Sequence, residues 1–299
     1  MLPRWTPVHA GDVLASLERD VFLAIGAMPI RAITAPVVLT ALRSVEGRGR
    51  LETARRVRQR ISGIFAFAMS EGLVDSDPAA IVGRALVPPP PKRNHAALLE
   101  VDDARGLLAA AELLDAAPMI KLASRYLALT SVRLAGVRGA TWAEIEDLDG
   151  AVPIWRVPAA RMKLAAAKKR DPKNDHVVPL ARQAVAVLRA AGENGYDTRS
   201  PDALIFAGPG GAAIGEAAIG ELYKRTSFAG RHVPHGWRAT FSTLMNEAGK
   251  FDRLLIERAL AHAPKDKVAA AYDRSQQLLQ LRTLFQEWAD TIDPAAIDL

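Results

Sequence analysis

Five polar side chains and one phenol stand out by type and order: Arg133, Lys163, His235, Arg238, His262 and Tyr272. Thr130-Ser131-Val132-Arg133 closes an apolar stretch, and Trp142 follows nine residues after the arginine. His235-Gly236-Trp237-Arg238 opens another helical pattern. His262 follows Ala259-Leu260-Ala261, and Tyr272 lies ten residues later. Taken singly, each has a structural explanation: an arginine paired with an acid, a histidine capping or ending a helix, a tyrosine in the core. Two basic clusters accompany them. Arg48, Arg50, Arg55, Arg56, Arg58 and Arg60 face only Glu52 across 48–60, and Arg161, Lys163, Lys168, Lys169, Arg170 and Lys173 face only Asp171 across 161–173. Two such patches suit a phosphate backbone gripped from two sides.

Other chemistries lack their residues. There are no cysteines, so a disulfide framework, a thiolate metal site and a cysteine nucleophile are excluded. His232 and His235 are three apart, but Pro234 between them breaks the helical geometry of a metal pair. No Gly-x-Ser-x-Gly elbow and no P-loop is present. Gly208-Pro209-Gly210-Gly211-Ala212-Ala213 matches only the loosest dinucleotide pattern and reads as a glycine turn. Neither cofactor nor metal is expected.

The elements that must carry these residues follow from periodicity. The 299 residues are 49% hydrophobic and 24% charged, with a net charge of +6; this is a globular balance with a basic lean. No stretch approaches the roughly 20 apolar residues of a membrane span, and no signal core opens the chain, so a cytoplasmic, nucleoid-associated location and no membrane partner are expected. Val87-Pro88-Pro89-Pro90-Pro91 cannot continue a helix, which divides the chain into 1–87, a linker at 88–94, and 95–299. The first part reads as helical: Val13, Leu14, Leu17, Val21 and Phe22 recur at helical spacing, Thr34 and Pro36 open a second helix that ends at Gly47 and Gly49, and Ile61, Ile64, Phe65, Ala68 and Met69 form a further stripe stopped at Gly72. The second part is mixed. Residues 102–115, 118–130, 180–191, 215–227, 238–248, 252–261 and 276–290 read as helices. Ile154–Pro158 and His176–Leu180 read as a hairpin with a long basic connection. The fold class is mainly α with a small β-sheet.

At these residues the chain resembles the tyrosine recombinases, and among them the integrases of prophages and genomic islands. The order matches: an arginine ending a helix (Arg133), a hairpin lysine (Lys163), a His-x-x-Arg box (His235, Arg238), a Leu-x-His turn (Leu260-Ala261-His262) and a tyrosine soon after (Tyr272). Residues 8–85 resemble a core-site-binding domain, including Glu52-Thr53-Ala54-Arg55-Arg56-Val57 and Glu71-Gly72-Leu73-Val74; residues 95–290 resemble the catalytic domain. The resemblance implies a site-specific recombinase that passes through a 3′-phosphotyrosine. Tyr272 would be the nucleophile, Arg133 and Arg238 a phosphate clamp, His235 and His262 further phosphate contacts, and Lys163 the general acid. Arg55, Arg56, Arg58, Arg60, Lys168 and Lys169 would touch DNA. Partners would be a double-stranded attachment core and further copies of the chain: a tetramer on DNA, a monomer off it. The last helix, with Leu279, Leu284, Phe285 and Trp288, would dock on a neighbouring copy or pack on its own domain. The competing reading is a remnant integrase that only binds DNA.

Three features depart from that pattern. An acid usually follows the first arginine by three positions, where this chain has Gly136; Glu144 or Glu146 could substitute, and a glutamate installed at 136 should firm the clamp. The lysine hairpin is long, so Lys168 or Lys169 competes with Lys163. The N-terminal arm-binding domain that such integrases often carry is expected to be absent.

Overall fold

The computed structural model describes residues 5, 7–91, 94–195, 200–262 and 277–294. The chain forms two compact units, 1–93 and 94–299; no helix among the described residues is long and apolar enough to cross a membrane.

The first unit is helical. α1 (Pro7–Leu17) continues as a wider, π-wound stretch to Gly26, and Val13, Leu17, Val21 and Ile25 line its buried side. α2 (Ala35–Gly47) starts with proline in its first turn and buries Val38, Ala41, Leu42 and Val45. α3 (Leu51–Ser70) buries Ala54, Val57, Ile61, Phe65 and Ala68. Gly49 and Gly72 follow the two helices at φ +74° and +69°, a region that glycine enters without steric cost. Asp77 caps α4 (Pro78–Ile81) by accepting from the Ala79 and Ala80 amides. Leu14, Phe22, Ile64 and Met69, counted in the apolar stripes, are instead exposed. Each neighbours a buried position, and one residue along a helix is a 100° turn off the buried face.

The second unit is built around α6 (Pro118–Thr130), which is buried on nearly every side. α5 (Val101–Glu112) precedes it and α7 (Leu134–Arg138) follows. A three-stranded antiparallel sheet of order β1-β2-β3 packs alongside: β1 Ile145–Glu146, β2 Ile154–Val157, β3 His176–Pro179. Trp155 pairs with Val178 and Val157 with His176. Two-residue β1 is too short to show an alternating pattern. The basic connection between β2 and β3 is wound into short turns, among them α8 (Ala166–Lys169). α9 (Arg182–Asn194), α10 (Ala218–Lys224), α11 (Gly236–Glu247), α12 (Arg253–Ala259) and α13 (Leu278–Ile292) complete the unit. The glycine turn closes through the Gly208 amide on the Ala212 carbonyl at 2.6 Å, and α10 begins only at Ala218.

In this chain α13 packs on its own unit. Leu281, Leu284, Phe285, Trp288 and Ile292 are buried against its own unit, and Trp288 Nε1 donates to the Ala128 carbonyl of α6 at 2.9 Å. Leu279 stays 80% exposed.

Candidate active site

Helix ends bring the polar residues together. α6 stops when Ser131 turns left-handed (φ 49°), its amide bonded to the Leu127 carbonyl at 2.9 Å. Arg133 then stands at the N-cap of α7, with its carbonyl accepting the Gly136 amide at 2.7 Å. It therefore opens the next helix, three residues past the end of α6, rather than ending one. α12 stops in the same way: Ala261 is left-handed (φ 49°), and the Ala261 and His262 amides return to the Arg258 and Glu257 carbonyls. This double closure turns His262 back toward α11. Non-glycine residues in this region cost on the order of 1 kcal/mol each, and both occur where a helix end meets one guanidinium.

That guanidinium belongs to Arg238, in the first turn of α11 and 6% exposed. It donates to the Ser131 carbonyl at 2.9 Å, the Leu260 carbonyl at 2.5 Å and His262 Nε2 at 2.8 Å. A guanidinium can only donate, so His262 Nε2 is the lone-pair nitrogen. Its Nδ1 then carries the proton and donates to Glu257 Oε2 at 2.6 Å. Burial draws Arg238 down to about 10, repulsion by Arg133 adds to this, and Glu257 opposes it.

Arg133, Arg238, Lys163, Lys169 and His176 line one cavity of about 350 Å³, with Arg161, Met162 and Ala261. Lys168, next to Lys169 on α8, is not part of that lining. No described lining residue is acidic. Arg161 is neutralised by Glu144 outside it. The Arg133 guanidinium has no hydrogen-bond or ion-pair partner among the described residues, and burial lowers its pKa. His235 is exposed at the start of α11. Its imidazole is lowered by burial first, then by His95, Arg238, Arg133 and His262. Tyr272 lies outside the described residues.

Gly136 is buried, and neither acid substitutes for it. Glu144 is held by Arg161 and by Trp155 Nε1, and Glu146 by Arg156. A Cβ at 136 would meet Val132 Cγ1 at 2.9 Å, with Trp155 and Val157 beyond. The expected benefit of a glutamate there is thus overturned: the niche is apolar and full. Overpacking costs roughly 1–3 kcal/mol, more than the roughly 1 kcal/mol of helix propensity that glycine forfeits. Gly136→Glu is expected to lower the urea midpoint of the second unit and to leave DNA cleavage no faster; a faster variant of unchanged stability would contradict this.

In the first unit the four α3 arginines divide between faces. Arg55 and Arg58 line a cleft of about 280 Å³ with Arg84. Arg56 pairs with Glu52 at 3.2 Å, one turn away. Arg60 bonds the Asp12 carbonyl and Ser16 Oγ, so its charge ties α3 to α1.

Several site residues escaped the sequence reading. His176 registered only as the start of a strand. Glu257 gave no signal, because its link to His262 depends on the left-handed turn at Ala261. His232 is buried between Tyr223 and Trp237, with ring centroids 5.8 and 4.7 Å away. Its Nδ1 accepts the Leu98 amide at 3.1 Å, and burial pulls it from 6.5 to about 4. The folded state therefore resists a proton that the unfolded chain takes near pH 6.5. The associated stability is complete above pH 6.5 and is lost as pH falls toward 4. Between pH 7 and 5 this should remove about 2 kcal/mol, read from urea midpoints. His176 also sits near 4, through burial and the two arginines, and acts in the same direction. His232→Asn keeps an acceptor for Leu98 without a titrating ring and should flatten the pH dependence in part; an unchanged dependence would refute the assignment.

Residues 98–278 match the phage integrase family and residues 1–85 the phage integrase central domain. The chain belongs to the phage integrase family. Prophage integrase IntA of Escherichia coli K12 is 34% identical over 292 residues, covering 97% of this chain and 66% of the relative. The integrase of enterobacteria phage P4 is 29% identical over 299 residues, again 97% and 66%. The chain thus spans about two thirds of the length of these integrases. Among solved structures, a lambda integrase (75–356) dimer bound to a COC′ core site superposes with a TM-score of 0.65 at 17% identity, covering 87% of this chain and 89% of that one. A Tn1549 transposon integrase on transposon right-end DNA gives 0.62 at 13%, covering 93% and 92%. These structures share the phage integrase fold, mainly helical with a small antiparallel sheet.

Proposed function

We propose that this phage integrase cleaves and rejoins double-stranded DNA at a specific core site, integrating or excising a mobile element. The observation that carries the reading is the cavity in which Arg133, Arg238 and Lys163 face one space with no acidic lining residue. An uncompensated cationic cavity of that size suits a phosphodiester, whose charge grows as an oxygen attacks.

In the proposed reaction the Tyr272 oxygen attacks phosphorus and the bond to the 5′ oxygen breaks. His235 takes the phenolic proton, Lys163 gives one to the departing oxygen, and Arg133 and Arg238 hold the non-bridging oxygens, with His262 accepting from Arg238 and steadying that guanidinium. Esters are exchanged one for one, so the bond is conserved in the phosphotyrosine until a partner strand's 5′ hydroxyl reverses the step. Lys169 and Lys168 flank the same strand. Arg55 is the α3 arginine freest for phosphate, Arg58 donating to the Ala79 carbonyl at 3.2 Å, and the first unit serves as the core-site-binding domain. Partners are an attachment core and further copies, assembled as a tetramer on DNA, in the cytoplasm on the nucleoid.

The test is covalent trapping on a nicked duplex carrying a candidate core. A denaturant-stable protein–DNA adduct is expected. Binding without adduct, on a nick that lets the cleaved fragment diffuse away, would leave a DNA-binding protein only.

A further inference from the structure

The segment that follows the proline run is fastened to the His-x-x-Arg box. The Val233 amide donates to the Ala96 carbonyl at 3.2 Å, and the Leu98 amide to His232 Nδ1 at 3.1 Å. Contact is close enough to dictate a residue: a Cβ at Gly236 would lie 2.3 Å from the Ala96 carbonyl oxygen and 3.2 Å from Ala97 Cα. The strap 95–98 therefore lies against the turn that starts α11, and only glycine fits there. At its free end His95 meets His235, ring centroids 4.7 Å apart and planes at 67°. Both rings are exposed, so burial does not hold them together; the backbone strap does.

We propose that His95 is a positioning residue for His235: the strap holds it edge-to-face against the imidazole of the His-x-x-Arg box and fixes the direction in which that ring presents its nitrogens. The inference deepens the proposed recombinase site and rests on that reading for its rate consequence. An imidazole with one exposed side has two broad χ2 orientations. An edge-to-face neighbour favours one of them. His95 also places a second imidazole beside His235. The groups acting on His235 are then His95, Arg238, Arg133 and His262, all of one sign when charged, so each hinders its protonation.

Three variants separate the contributions. His95→Ala removes the ring, His95→Phe keeps an edge-to-face partner without charge, and Tyr272→Phe is the control without adduct. Adduct formation on nicked core DNA is expected to slow about tenfold in His95→Ala and to recover to within about threefold of wild type in His95→Phe, with core-site affinity unchanged. In both His95 variants the acidic limb of the pH–rate profile should move toward the ordinary imidazole range. Equal rates and identical profiles in wild type and His95→Ala would overturn the proposal. The His235 imidazole resonances provide a readout independent of catalysis: their chemical shifts and titration should change in His95→Ala. If wild type forms no adduct yet those resonances move, the recombinase reading fails and the strap stands. If they do not move, the strap fails whatever the activity.

Discussion

Replacing Tyr272 with phenylalanine is expected to abolish the covalent protein–DNA adduct while leaving core-site affinity within a few fold. The asymmetry follows from what one oxygen contributes. Affinity for DNA is spread over many phosphate contacts, each with counterion release, and a single hydroxyl barely alters that sum. The adduct has no other route: a phenol of pKa about 10 becomes a nucleophile only when a base takes its proton or fixed cations hold its oxyanion, and the phenylalanine ring offers no oxygen at all. Denaturing gels on a nicked substrate give the result directly. An adduct that survives in Tyr272→Phe would place the nucleophile elsewhere, and peptide mapping of the linked residue would say where.

The second large effect concerns Arg238, where activity and stability should separate. Truncation removes three hydrogen bonds, to the Ser131 and Leu260 carbonyls and to His262 Nε2, worth about 1 kcal/mol apiece. It also removes a buried cation whose pKa has fallen from 12.5 to about 10, a drop corresponding to about 3 kcal/mol. The two oppose each other, but truncation also leaves the Ser131 and Leu260 carbonyls, both in buried residues, without a donor, at about 1–3 kcal/mol each. Arg238→Met, which refills the volume, should therefore be destabilised by about 2 kcal/mol. Cleavage is another matter, because an arginine aimed at a transferring phosphoryl group contributes roughly 10³–10⁵ in rate. Loss of adduct formation on that scale with only a modest fall in the urea midpoint is the expected pair of results. A variant that loses both in proportion would make Arg238 a structural bolt.

What was legible in the sequence was whatever depends on local order. The helices of both units follow from apolar spacing and from glycine and proline stops, and α3 and α6 lie close to where periodicity puts them. The linear order of Arg133, Lys163, His235, Arg238 and His262 nominated a common site; Arg133, Lys163 and Arg238 line one cavity and His262 bonds Arg238, while His235 and His262 are not part of that lining. What depends on three-dimensional return of the chain was not legible. Nothing in Glu257 announces that a left-handed alanine four residues later will swing His262 onto its carboxylate. Gly136 looked like a missing acid; only the Val132 methyl at 2.9 Å shows it to be a packing residue. The arginine run of α3 looked uniform, yet Arg60 turns inward to α1. His95 adjoined a linker, with no local mark of its contact across 140 residues with His235.

The burial of α13 also limits how copies of this protein could exchange parts. Trp288, with its indole bonded to the Ala128 carbonyl, fills the centre of its own unit, so the helix is no loose arm. A copy that gave it away would open a hole beside α6, and a linear chain of donors would always end in one empty acceptor. Only a closed ring, in which every member receives as it gives, leaves no hole. Any exchange of this helix would therefore be all-or-none around the ring, and each entry or departure would require local unfolding of a tryptophan-filled core. Such an assembly would form slowly and, once closed, dissociate slowly.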